Sequence, residues 1–258
     1  MTLIVFKYIA IVLVSYFLGN FTFARYVSSS RKKDVLANGS GNPGTMNMLR
    51  NYGFIAAFMT LFMDAAKCIV PCVAAYWVMC PAVHPQLANL AIFVAGISCV
   101  LGHIYPVTYN FKGGKGVASG FGFAIVANWW LALASFGVFV IVFVITRIAA
   151  ISTLTACVAF LIANSVILLT KGYYVSVILQ LLLLALLLFA HRANLKRIFS
   201  KKEKKIDLKA SAEKDKEYIK SLSDKKKDKT KTVVDDNPPE MKETETEIVE
   251  EKPTDESK

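Results

Sequence analysis

Six apolar runs constrain this chain before any other feature does: about residues 3–24, 54–80, 87–109, 117–146, 148–170 and 173–190. A helix crossing the ~30 Å hydrocarbon core of a bilayer needs ~20 apolar residues, and unpaired backbone is not tolerated at that depth. The runs therefore predict an all-α integral membrane protein. Composition agrees, with 55% hydrophobic residues among 258 and a mean hydropathy of +0.46. The first run carries Lys7 inside it, has no charged segment before it and shows no small-residue cleavage site, so it reads as a retained helix.

Charge is partitioned sharply along the chain. Of 30 basic and 19 acidic residues, 16 and 17 lie from residue 201 onward, which leaves 14 and 2 in the first 200. The two acids are Asp34 and Asp64. Residues 1–200 therefore offer no carboxylate pair for acid–base work and no carboxylate-rich metal site. A cationic surplus of this kind suits anions, either lipid headgroups or a phosphorylated substrate, and it also fixes orientation. The five cysteines, Cys68, Cys72, Cys80, Cys99 and Cys157, lie in apolar runs without a CxxC and read as space-filling.

Loop 25–52 contains Arg25, Arg31, Lys32, Lys33 and Arg50, which predicts a cytoplasmic loop and an N-terminus outside. Six spans would then leave the lysine-rich C-terminus outside as well. Dividing 117–146 at Asn128-Trp129-Trp130, residues that suit a membrane–water boundary, gives seven spans and places Lys112, Lys115, Arg147 and the C-terminus in the cytoplasm. The first half is then about 12 residues, roughly 18 Å of helix, and must be tilted or enclosed by its neighbours. Five spans satisfy the same parity but require two runs not to cross. The expectation is about seven spans over residues 1–200, followed by a disordered, charged cytoplasmic tail at 201–258.

Three polar clusters fall on one side of this topology. GSGNPGTMNMLR (39–50) supplies glycines, asparagines, small hydroxyls and Arg50. GHIYPVTYNFKGGKGVASG (102–120) places two lysines three apart among glycines, where backbone can approach a ligand. It is not a Walker loop; taken alone it points to phosphate, with a glycine hinge carrying topogenic lysines as the blander alternative. HRANLKR (191–197) sets His191 and Asn194 at i,i+3, although cations closing a last helix also suit its dipole. Asp64 and Lys67, at i,i+3 within the second run, read as a mutually paired structural couple. No histidine has Asp five residues on, so an HxxxxD acyltransferase motif is absent.

Together these clusters resemble the acyl-phosphate:glycerol-3-phosphate acyltransferases of the PlsY type. GSGNPGTMNMLR is similar to the family's GSGNxGATNxxR, GHIYPVTYNFKGGKGVAS to GHxFPxFxxFKGGKGVAT, HRANLKR to HRxNIxR, and DAAK (64–67) to DxxKG; the similarity spans roughly residues 10 to 200. The resemblance implies a seven-helix fold in a bacterial cytoplasmic membrane with a site facing the cytoplasm. It also implies acyl transfer from acyl phosphate to the 1-hydroxyl of glycerol 3-phosphate, giving lysophosphatidic acid and phosphate. No cofactor, metal, acyl-CoA or acyl carrier protein is implied, nor any nucleic acid. Partners would be the two substrates and membrane lipid, with a monomer the expected state.

By motif position the resemblance assigns catalytic roles to Ser40, Lys112, Lys115, His191 and Asn194. It assigns phosphate binding to Gly39, Gly41, Asn42, Asn47, Arg50, His103, Gly113, Gly114 and Arg197. Two departures stand out: Thr45-Met46 replaces the family's alanine-threonine, and TRIAAIST (146–153) replaces TRYVSLGS, so that Ala150 stands where a serine is expected. Ser152 or Thr153 is available to stand in. One lost bond to a charged group costs ~1.5–3 kcal/mol, which retunes affinity rather than abolishing activity.

The residue chemistry agrees. An acyl phosphate is already activated, so the protein needs no covalent nucleophile, only cations and N–H groups that seat two phosphorylated substrates side by side. The proton acceptor, His191 or the substrate's own phosphate, is left open. The rivals are an organic-phosphate transporter, which should place its cations near the bilayer midplane, and an inactive relative.

Overall fold

The structure, a computed structural model, describes residues 1–31 and 34–235. Lys32 and Lys33 of the cationic loop, and residues 236–258 of the tail expected to be disordered, lie outside the described residues. The chain forms two compact units, Met1–Glu217 and the segment from Tyr218 onward; in the second, the described residues are helical to Asp235.

Among the described residues the structure is all-helical. The elements are α1 (Thr2–Gly19), α2 (Phe23–Ser30), α3 (Thr45–Tyr52), α4 (Phe54–Val78), α5 (Pro85–Ile104), α6 (Val117–Thr146), α7 (Ala149–Thr170), α8 (Tyr174–Ala190), α9 (Arg192–Phe199) and α10 (Leu208–Asp235). Five segments are long and apolar enough to cross a membrane, or six if α8 and α9, bent by 63°, are counted as one span. The apolar runs thus become the helices that the sequence predicts, and their outward faces carry exposed Leu, Ile, Val and Phe, as lipid-facing helices do.

α5 is the most enclosed span and packs against α1, α4, α6 and α8. Several polar side chains within the bundle find backbone partners. Tyr16 Oη donates to the Tyr105 carbonyl (2.8 Å) and Tyr8 Oη to Leu87 (2.9 Å). Lys7, the one cation of the first run, donates to the Val78 carbonyl at the end of α4 (2.8 Å), where the helix dipole favours positive charge. Between α5 and α6, Phe93 and Phe123 meet edge to face at 5.1 Å.

α6 is not one straight helix. Asn128 is extended (φ −163°, ψ 93°), and the Leu131 N–H donates to its Oδ1 at 3.5 Å, as to the cap of a new helix. The Phe121 and Phe136 rings lie 5.3 Å apart. Fifteen residues of continuous helix would separate them by ~22 Å. The chain therefore doubles back at Asn128, and the two halves of α6 pack against each other.

The first compact unit continues to Glu217, past the boundary expected at residue 200. Ile206 is buried against Ala24, Val27, Met48, Leu49 and Ala57, and its N–H donates to the Arg147 carbonyl (3.0 Å). Asp207 accepts from Lys209 and Ala210 N–H (2.9 and 3.2 Å) and caps α10. The disorder expected from residue 201 thus gives way, through residue 235, to a docked strap and a helix. Ile206 and the capping Asp207 are among the residues that order a segment whose composition reads as solvated.

The hairpin within α6 has a direct test. With the five native cysteines replaced, Phe121→Cys combined with Phe136→Cys should form an intramolecular disulfide under mild oxidation. A pair held ~22 Å apart on a straight helix would not.

Candidate functional site

The three polar motifs converge on a single cavity of about 720 Å³. Its lining includes Gly39, Ser40, Gly41, Asn42, Asn47 and Arg50 of the first motif, His103, Gly113 and Lys115 of the second, and His191, Asn194 and Arg197 of the third. The rest of the lining is largely apolar, with Phe121, Phe136, Phe139, Phe160, Leu183 and Leu187 among its members. One end is thus cationic and polar, and the other is a hydrocarbon slot.

The loop before α3 is shaped by Asn47, which is buried. Its Oδ1 accepts from Ser40 N (2.9 Å), Ser40 Oγ (3.1 Å) and Asn51 Nδ2 (2.9 Å), while its Nδ2 donates to the Val35 and Asn38 carbonyls (3.2 and 3.1 Å). Every donor and acceptor of that amide is committed to the loop. The amide thus folds the backbone around the ligand space and has no donor left for a ligand. Gly39 sits directly over this amide with φ +66°, where a Cβ would overlap Asn47 and Asn51.

The KGGKG loop is fixed from beneath by His103. Gly114 N donates to the His103 carbonyl (3.0 Å) and Gly113 N to Ile104 (3.2 Å), and a Cβ on Gly114 would collide with the imidazole. His103 is set in turn by Lys67, whose Nζ lies 2.8 Å from His103 Nδ1 and 2.8 Å from Asp64 Oδ1, and also donates to the Phe21 carbonyl. An ammonium only donates, so Nδ1 accepts and the ring proton sits on Nε2, beside Gly114. Asp64 and Lys67 pair as their spacing suggests.

The loop sends its two lysines in different directions. Lys115 turns into the cavity and donates to Asn194 Oδ1. Lys112 is exposed and is not part of the lining; its carbonyl accepts from Arg25 Nη2 (2.9 Å). The geometry does not bring Lys112 to the other candidates, because three residues of non-helical loop leave the two side chains unaligned. Gly114 is likewise outside the lining and backs onto His103.

Electrostatics are tuned at the polar end. Burial, with the Arg197 and Arg50 guanidinium groups nearby, lowers Lys115 to about 8. Burial pushes His191 down to about 4, so its ring is neutral at pH 7. His191 Nδ1 lies 2.8 Å from the Leu187 carbonyl and must carry the proton there, which leaves Nε2 as a free acceptor. The first residues of four helices, α3, α6, α7 and α9, contribute to the lining through Thr45, Val117, Ala149 and Asn194 or their neighbours. Each helix start presents unpaired N–H groups and the positive end of a dipole.

Two features were not legible beforehand. Thr153 lines the cavity beside Ala150, while Ser152 is turned away and donates to the Ile148 carbonyl (3.0 Å), so only Thr153 offers a hydroxyl near the missing serine. Glu203 also enters the cavity: its Oε1 accepts from Asn194 Nδ2 (2.7 Å) and its Oε2 from Arg197 Nε (2.6 Å). The repeat of Phe136, Phe139 and Phe143, at helical spacing and stacked at 5.9 and 5.7 Å, was the available signal for the apolar slot.

The family described as "Glycerol-3-phosphate acyltransferase" matches residues 9–201. The chain belongs to that family. Among its curated relatives, the glycerol-3-phosphate acyltransferase of Finegoldia magna is 33% identical over 195 residues, which is 75% of this chain and 93% of the relative. That of Thioalkalivibrio sulfidiphilus is 37% identical over 199 residues, 76% and 93% respectively. Two crystal structures of PlsY (YgiH), an integral membrane glycerol 3-phosphate acyltransferase, share the fold. The glycerol 3-phosphate form has a TM-score of 0.67 at 29% identity, covering 78% of this chain and 96% of that one. The lysophosphatidic acid form has a TM-score of 0.66 at 28% identity, covering 79% and 97%.

Two outcomes follow from the geometry. Lys67→Ala strands Asp64 as an unpaired charge among helices and should cost ~3–5 kcal/mol, lowering the thermal midpoint; Asp64→Asn with Lys67→Met should recover most of the loss. Lys115 binds anions only when protonated, so kcat/KM for a phosphorylated substrate should fall as pH rises through about 8. In Lys115→Arg that alkaline limb should move beyond the accessible range, because a guanidinium does not titrate there.

Proposed function

We propose that the chain transfers a fatty acyl group from acyl phosphate to the 1-hydroxyl of glycerol 3-phosphate, releasing lysophosphatidic acid and inorganic phosphate. The observation that carries this reading is the two-part cavity, cationic and rich in N–H groups at one end and lined by aromatic and aliphatic side chains at the other. A phosphate fits the first part and an acyl chain the second. A soluble organic phosphate, as a transporter would carry, has no use for the slot. Arg50, Lys115, Asn194 and Arg197 hold the phosphates in this reading, with Arg50 as a bidentate clamp and the glycine loops and helix starts closing around them.

In the reaction the hydroxyl oxygen attacks the acyl carbonyl carbon and the bond from that carbon to the phosphate oxygen breaks. Lys115 and the helix starts stabilise the charge that collects on the departing phosphate. The hydroxyl proton has two possible acceptors. A phosphate group has a second pKa of ~6, whereas His191 lies at about 4. The phosphate is the stronger base and takes the proton. His191 Nε2 accepts a hydrogen bond from the acceptor's other hydroxyl, at C2, and so orients the attacking one. Thr153 supplies the hydroxyl that Ala150 lacks, so the departure in TRIAAIST leaves the chain active.

The membrane arrangement that fits this chemistry is seven spans, with the two halves of α6 counted separately, the N-terminus outside, and the polar end of the cavity at the cytoplasmic face of a bacterial cell membrane. We read the working unit as a monomer.

The deciding assay supplies palmitoyl phosphate and glycerol 3-phosphate to the protein in lipid and follows phosphate and lysophosphatidate together. Equal yields from acyl phosphate, and none from palmitoyl-CoA, are expected. Lys115→Ala should lower kcat/KM about 10- to 150-fold, the equivalent of one charged hydrogen bond. His191→Gln retains an acceptor oxygen and should keep part of the activity, whereas loss of a true general base would cost ~10²–10⁴. No turnover with either donor, in folded protein, would defeat the reading.

A further inference from the structure

The site contains a carboxylate that its proposed chemistry does not require. Glu203 inserts between Asn194 and Arg197, each of its oxygens taking one hydrogen bond from a residue that the reading above assigns to phosphate. Its side chain is 11% exposed, whereas that of Arg197 is 43% exposed, so the carboxylate is enclosed at a site whose guanidinium still meets solvent. Glu203 also lies just beyond the family match, which ends at residue 201.

The segment that carries Glu203 is anchored at several independent points. The Lys204 carbonyl accepts from Arg50 Nη2 (3.5 Å). Ile206 is buried under α2, α3 and α4, with its N–H on Arg147. Further on, Lys214 Nζ donates to the Arg50 carbonyl, and Asp215 accepts from Phe54 N (2.6 Å) and Ile55 N (3.2 Å) at the start of α4. The strap thus engages Arg50, Asn194 and Arg197 at once. A carboxylate offers the same acceptor geometry as two oxygens of a phosphate, and the two anions repel if both are present.

We propose that Glu203 is a resident occupant of the phosphate site, which a phosphate monoester must displace by lifting the 201–207 strap. This rests on the reading that the polar end of the cavity binds phosphate. Strap occupancy then sets apparent affinity without touching the bond-making step. When a binding-competent state is populated one time in ten, the apparent Kd is raised about tenfold. The residue is a specificity device as well, since a singly charged carboxylate ligand competes with Glu203 less well than a phosphate dianion does.

The test uses the full chain in lipid nanodiscs and measures calorimetric binding of glycerol 3-phosphate and of inorganic phosphate, beside steady-state kinetics and thermal midpoint. Glu203→Gln keeps the shape and removes the charge; it should bind both ligands about tenfold more tightly, lowering KM with kcat unchanged. Ile206→Ala loosens the anchor without entering the cavity and should shift affinity in the same direction. Unchanged or weaker binding in folded Glu203→Gln would overturn the proposal and make Glu203 a positioning residue for Asn194 and Arg197. Tighter binding in a protein with no turnover would sink the acyltransferase reading and leave the strap standing. Normal turnover with unaltered affinity would do the reverse.

Discussion

The Lys67 ammonium holds together parts of the chain that apolar packing alone would leave free to slide. A buried charge is tolerable only when its donors are matched. The three donors of Lys67 reach Asp64 on its own helix, His103 on α5 and the Phe21 carbonyl just after α1. Those partners fix how α1, α4 and α5 stand against one another. The same histidine then fixes the KGGKG loop through its carbonyl and its ring face. Lys115 is consequently placed by a relay that begins well inside the bundle, and its contact with Asn194 draws in α9.

Positive charge dominates the polar end that this relay builds. Arg50, Lys115 and Arg197 stand among the starts of four helices, and burial, with the two guanidinium groups adding to it, depresses Lys115 to about 8. That crowding is costly without an anion, because each cation is partly stripped of water while repelling its neighbours. Glu203 offsets it from within the chain. The two acids of the first 200 residues, Asp34 and Asp64, do not serve this purpose: one caps a turn at Leu36 N, and the other is paired with Lys67. The anion has to come from the strap or from a ligand.

Much of this was legible in the sequence because glycines, asparagines and isolated cations report needs of the local backbone. The helices follow from apolar run length, the break at Asn128 from an amide and an aromatic pair in a run otherwise apolar, and the cavity lining from the three motifs. What sequence could not give was direction. Asn47 has the right residue type for a ligand, but its amide is consumed by five bonds within the loop. Lys112 and Lys115 look equivalent three residues apart, yet only one turns inward, since a glycine loop lacks the periodicity that relates side chains on a helix. Ser152 and Thr153 were equally available, and the rotation of α7 chose Thr153. The strap was missed for a different reason. Composition averages over a segment, whereas docking depends on single residues, here Glu203, Ile206 and Asp215.

The two-part cavity also bears on why transfer should prevail over hydrolysis. Water is far more abundant than a metabolite, so transfer prevails only if the acceptor hydroxyl is aligned for attack far better than a water is. His191, the one imidazole with a free acceptor nitrogen in the lining, is held near 4 by burial and its Nδ1 proton is tied to Leu187. It can orient a hydroxyl but is too weak a base to deprotonate a stray water effectively. In the proposed reaction, proton transfer waits until charge develops on the departing phosphate, which happens when an attacking oxygen is already aligned. In the proposed reading, glycerol 3-phosphate aligns its hydroxyl by anchoring its own phosphate among Arg50, Lys115 and Arg197; water has no such handle. In the proposed reading, a weak base beside the acyl group leaves the anchoring of the acceptor's own phosphate as the source of selectivity.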